Sequence, residues 1–122
     1  MPKVILCLGS NKDPQRHIDA AKDLLRHTVG AIRFSTSLWT EPIGDKHKDC
    51  LYLNCLAEGE TDMDYPTLHK TLKDLERRLG STPHEREKGT VRIDIDILKV
   101  GSQRYNTDDW ERNYIKTLLA EL

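Results

Sequence analysis

Residues 91–98 read Val-Arg-Ile-Asp-Ile-Asp-Ile-Leu, a run in which apolar and charged side chains alternate. Successive side chains of a strand point to opposite faces, so an extended segment separates the two sets. Ile93, Ile95 and Ile97 then enter a core, while Arg92, Asp94 and Asp96 project together from the other face. A chain with this strand needs a sheet for it to join and a layer of other elements over the isoleucines.

The remaining segments supply both. Residues 3–8 (Lys-Val-Ile-Leu-Cys-Leu) form a short apolar run ended by Gly9, Ser10 and Asn11, which reads as a buried strand with a tight exit. Asp13 as N-cap and Pro14 at the first helical position start a helix. Ile18, Ala21, Leu24, Leu25 and Thr28 follow at helical spacing, and Gly30 closes it. Residues 31–39 alternate, with Ile32, Phe34, Thr36 and Leu38 on one face. Thr40 to Cys50 is a polar loop with Pro42 and Gly44, and residues 51–58 are the next strand. Asp62 or Asp64 caps a second helix whose stripe is Leu68, Leu72, Leu75 and Leu79, ended by Gly80. Residues 81–90 are a polar loop before the alternating strand. Residues 101–109 turn, and 110–122 read as a last amphipathic helix.

Strand, helix, strand, strand, helix, strand, helix is the order of two split βαβ units plus a tail. The expected fold is α+β: a ferredoxin-like βαββαβ sandwich, one antiparallel sheet with its two main helices on one face, and an extra C-terminal helix. A single domain over residues 1–122 accounts for the length.

Composition narrows the function classes. Lys plus Arg is 19 and Asp plus Glu is 20, a net charge of −1, which argues against nucleic acid as a partner. An RNA-binding sheet would also need exposed aromatics, and the chain has one Phe. No apolar run approaches the roughly 18–20 residues of a membrane span, so no membrane partner is expected. The first residues lack a cleavage-site pattern and read as a strand. Cys7, Cys50 and Cys55 are odd in number and form no C-x-x-C pair, which fits a reducing, cytoplasmic setting. His47 with Cys50 and Cys55 lacks a fourth zinc ligand at standard spacing.

Three features bear on chemistry. Asp94 and Asp96, with Cβ atoms ~7 Å apart on a strand, suit a hard cation such as Mg²⁺ completed by substrate phosphates; a solvated acidic face is the other reading. Gly9-Ser10-Asn11 either presents backbone N–H groups to an anion or is a plain strand-to-helix turn. Tyr52 and Asn54 share a face beside the Thr40-Glu41-Pro42-Ile43-Gly44 loop, an arrangement that suits a flat polar heterocycle or is an exposed tyrosine with a capping asparagine.

Taken in order, Leu8-Gly9-Ser10-Asn11 after the first strand, Thr40 to Gly44 after the second, Tyr52-Leu53-Asn54 in the third, a helix ending Glu76-x-x-x-Gly80, and Asp94-Ile95-Asp96-Ile97 resemble hydroxymethyldihydropterin pyrophosphokinase, an enzyme of folate biosynthesis. The resemblance spans nearly the whole chain. It implies a ferredoxin-like fold and Mg²⁺-dependent transfer of pyrophosphate from ATP to 6-hydroxymethyl-7,8-dihydropterin, releasing AMP, with two Mg²⁺ ions and ATP as co-substrate. By motif position it makes Asp94 and Asp96 the metal ligands and Tyr52 and Tyr114 the aromatic pair around the pterin. It makes Asn54 with Thr40, Glu41, Pro42 and Ile43 the pterin's hydrogen-bonding edge. Arg92, Arg112 and Lys88 would offset charge on the transferring group.

The chain also departs from the family pattern. Where the family's segment before the aspartate strand is arginine-rich, Ser81, Pro83, Glu87 and Val91 stand in place of arginines and Lys88 in place of tryptophan. Arg86, Lys88 and Arg92 are the cations left there to substitute for them. The family's V-P-H segment has no counterpart after Asn106-Thr107. A second reading is therefore a pterin-binding or regulatory relative that has lost transfer.

Overall fold

The computed structural model describes residues 1–41 and 51–122. Its elements run β1 (Lys3–Ser10), α1 (Pro14–Arg26), β2 (Gly30–Phe34), β3 (Leu38–Thr40), β4 (Tyr52–Glu60), α2 (Tyr65–Arg78), α3 (Pro83–Glu87), β5 (Asp94–Val100), β6 (Gln103–Arg104), a 3₁₀ turn (Thr107–Glu111) and α4 (Asn113–Leu119). The strands form one six-stranded antiparallel sheet in the order β2-β4-β1-β5-β6, with β3 also on β4. This is the α+β, ferredoxin-like arrangement expected. No helix among the described residues is long and apolar enough to cross a membrane.

The two faces of the sheet are covered unequally. Val4, Leu6, Leu8, Ile93, Ile95 and Ile97 meet Ile18, Leu25, Leu68 and Leu72 of α1 and α2 in the main core. On the other face Cys7, Leu56 and Leu98 meet Ile115 and Leu118 of α4. Seven residues are too few for a helix to stand alone. Burying Ile115 and Leu118, worth roughly 1.5–3 kcal/mol each, is what holds α4 to the sheet. It covers only part of that face, and the rest is the candidate site.

Several local expectations are corrected. Residues 31–39 are not one strand. Ser35 donates its N–H to Leu56 O (2.9 Å) and accepts Leu56 N–H on Oγ (2.8 Å), so one residue takes both backbone groups and the chain changes face. Ile32 and Phe34 pack on the main core, Leu38 on the α4 side. Asp13 stands in the left-handed region (φ 43°) with no side-chain cap bond, and Gly30 opens β2 instead of closing α1. Asp64, not Asp62, caps α2 by accepting from Thr67 N–H (3.0 Å). The polar loop at 81–90 contains α3, capped by Thr82 Oγ1 accepting from Glu85 N–H (3.2 Å). The last helix is split at Arg112, which is extended, because the Trp110 indole N–H is anchored on Leu98 O (3.2 Å) and Tyr105 O (3.1 Å).

Candidate active site

Strand register builds the floor. Asn54 of β4 lies opposite Gly9 of β1, and Gly9 opposite Asp94 of β5. One step along, Leu56, Cys7 and Asp96 form the next row. β3 adds Thr40 opposite Tyr52. Gly9 permits a close approach here: a Cβ on it would lie 3.0 Å from Asn54 Oδ1, so the amide would have to give by a few tenths of an ångström. The Asn54 amide therefore lies across a bare backbone, fixed by donation from Nδ2 to Thr40 Oγ1 (2.6 Å).

Above this floor is a cleft of about 220 Å³. It is smaller than the roughly 300–1,000 Å³ of pockets for drug-sized ligands, a scale that suits one compact ring system. Five residues expected on the pterin side, Thr40, Glu41, Tyr52, Asn54 and Tyr114, line it together with Asp94 and Asp96. Pro42 and Ile43, the rest of that expected edge, lie outside the described residues, as do His47 and Cys50. The lining also includes Cys7, Gly9 and Asp109, which sequence reasoning did not assign to the site.

The cleft is strongly acidic. Burial, reinforced by the charge of Asp94 and a hydrogen bond shared with it, pushes the Asp96 carboxyl up to about 7; Lys73 opposes this. Burial and then Asp96, Asp94 and Asp109 push the Cys7 thiol well up. Burial and then Cys7 and Asp109 do the same for the Tyr114 hydroxyl. Both therefore stay neutral near pH 7. Two converging carboxylates that resist joint ionisation form a donor set in need of a cation, and hard oxygen ligands match Mg²⁺. Among the described residues no group of three or more His, Cys, Asp or Glu side chains is placed to hold a metal ion by itself.

The three expected cations are placed differently from one another. Arg112 pairs with Asp109 on the cleft wall (3.0 Å). Arg92 lies at a bend just before β5, which begins at Asp94. Its guanidinium makes a two-pronged pair with Glu85 of α3 (2.7 and 3.0 Å). Lys88 is exposed at the end of α3. The cations beside the acid pair are Arg86 and Lys73, at 3.3 and 3.7 Å from Asp94 Oδ1.

The Gly9-Ser10-Asn11 turn serves the plainer of its two readings. Asn11 donates from Nδ2 to Gly89 O (2.8 Å), accepts Val91 N–H on Oδ1 (2.7 Å) and donates its own N–H to Val91 O (2.9 Å). It anchors the entry to β5 and so aims the acid pair. Glu76 was also missed, although a signal was present: it is a charged residue four positions after Leu72, on the stripe expected to be buried.

A family model described as 7,8-dihydro-6-hydroxymethylpterin-pyrophosphokinase (HPPK) matches residues 5–122. A "Folate synthesis bifunctional protein" of Chlamydia muridarum (strain MoPn / Nigg) is 33% identical over 109 residues, which is 84% of this chain. The aligned part spans 24% of that longer protein.

Proposed function

This chain belongs to the 7,8-dihydro-6-hydroxymethylpterin-pyrophosphokinase family, and we propose that it transfers pyrophosphate from ATP to 6-hydroxymethyl-7,8-dihydropterin, with Mg²⁺, releasing AMP, as a step of folate biosynthesis. One observation carries the reading: a single cleft joins the acid pair to the aromatic and amide side chains a pterin needs.

In this mechanism Tyr52 and Tyr114 flank the flat ring and Asn54 meets its polar edge. The Thr40 bond holds the Asn54 amide so that its orientation is set before substrate arrives. Asp94 and Asp96 hold Mg²⁺, which when bound offsets the negative charge of the phosphates. The pterin hydroxymethyl oxygen attacks the β-phosphorus; the new O–P bond forms as the bond to the α-phosphate oxygen breaks, AMP leaves, and the hydroxyl proton passes to solvent. Arg112, fixed by Asp109 at the cleft wall, adds positive charge beside the transferring group.

The exchanged arginines of the 81–92 segment favour the second reading, a pterin binder without transfer. AMP release separates the two. Purified protein with ATP, Mg²⁺ and the dihydropterin is expected to release AMP, and Asp94→Asn to abolish the release. Pterin binding without AMP release would favour the binder.

A further inference from the structure

The side of the acid pair away from Asn54 is built differently from the rest of the cleft. Glu76 of α2 is 4% exposed, a buried carboxylate on an otherwise apolar face. Its Oε2 accepts the N–H of Ile95 on β5 (2.8 Å) and the Lys73 ammonium (2.8 Å). Its Oε1 accepts from Arg86 Nη2 (2.8 Å), which also donates to Ile93 O (3.1 Å). The carboxylate is thus locked to the strand that bears the two aspartates. The cations it holds are more exposed than their anchor: side-chain exposure is 30% for Lys73 and 35% for Arg86 against 6% for Glu76. Arg92 and Arg112, by contrast, are each taken up by a carboxylate on a neighbouring element or turn.

We propose that Lys73 and Arg86, set by Glu76, form the phosphate-facing wall of this site and receive the polyphosphate chain of a nucleoside triphosphate on the outer side of Asp94. The proposal rests on the pyrophosphokinase reading and names the residues that stand in for the arginines this chain lacks. Arg86 Nη1 and the Lys73 ammonium both point at Asp94 Oδ1. Were Asp94 to hold a cation, these two donors would be available to phosphate oxygens. Glu76 touches neither metal nor substrate and is a positioning residue.

The test is binding, not turnover. The probe is an ATP analogue with a methylene bridge between the α- and β-phosphorus, which cannot transfer its pyrophosphoryl group, titrated calorimetrically with Mg²⁺ present. Arg86→Gln and Lys73→Gln are each expected to weaken analogue binding about tenfold, the loss of a charge-assisted contact, and to leave pterin affinity unchanged. Arg86→Lys is expected to recover part of the loss, because lysine restores charge without the two-pronged grip. Glu76→Gln removes a negative charge, which alone would strengthen anion binding; the positioning role predicts weaker binding instead. Thermal melting checks that each variant is folded, and the two half-exposed cations test the wall even if the buried one does not tolerate change. Analogue binding by both Arg86→Gln and Lys73→Gln within twofold of the unaltered protein overturns the proposal. Failure of the unaltered protein to bind the analogue, with pterin bound, overturns the pyrophosphokinase reading and the wall with it.

Discussion

Asp96→Asn should stabilise the metal-free protein above neutral pH while removing its metal response. The folded carboxyl titrates at about 7 against an ordinary value of 3.8. Between those values the unfolded chain has lost its proton and the folded one has not, so stability falls as pH rises through this window and the full penalty stands above it. At 1.36 kcal/mol per pH unit the gap corresponds to roughly 4 kcal/mol, and partial exposure of the pair cuts that to roughly 2 kcal/mol. Asparagine keeps the shape and a hydrogen-bond donor but has no proton to lose. Urea denaturation should give nearly equal stabilities at about pH 3.5, below both values, and an advantage for the variant that grows to its full size at about pH 8. Adding Mg²⁺ should then raise the unaltered protein and leave Asp96→Asn where it was. A variant equally destabilised at both pH values, or one still stabilised by Mg²⁺, would refute the account of Asp96 as a strained ligand.

Other substitutions test the floor and its support. Tyr52→Ala should weaken pterin binding by about 1–3 kcal/mol, the scale of base stacking on an aromatic side chain, measured by fluorescence titration. Gly9→Ala presses its methyl against the Asn54 amide and shifts it; it should cost about 1 kcal/mol of stability and lower pterin affinity more than nucleotide affinity. Asn11→Ala leaves Val91 N–H without its acceptor and should lower stability in urea by about 1–3 kcal/mol.

Local pattern was enough for whatever depends on periodicity. The alternation at 93–97 assigned the isoleucines to the core and the aspartates to the cleft, and the leucine stripe of α2 packs as its spacing requires. It was not enough where one residue answers another far along the chain. Ser35 interrupts a strand because it satisfies Leu56, and Asn11 is an anchor because residues 89 and 91 come to it from 78 and 80 positions away. Neither bond has a signature near its own residue. Arg92 illustrates a third case: the alternation was real, but the strand begins at Asp94, and Glu85 decides where the guanidinium goes. The helix at 83–87 was legible, since Thr82-Pro83-His84-Glu85 has a capping residue, a first-turn proline and an acid three positions on.

The segment between α2 and β5 is tethered along its length: Glu85 to Arg92, Arg86 to Glu76, and Gly89 and Val91 to Asn11. Its conformational entropy is given up when the chain folds, not when a ligand arrives. A polyphosphate reaching this wall meets a backbone already in place, and its association rate is then governed by diffusion, charge and the turning of two side chains instead of by the closing of a loop.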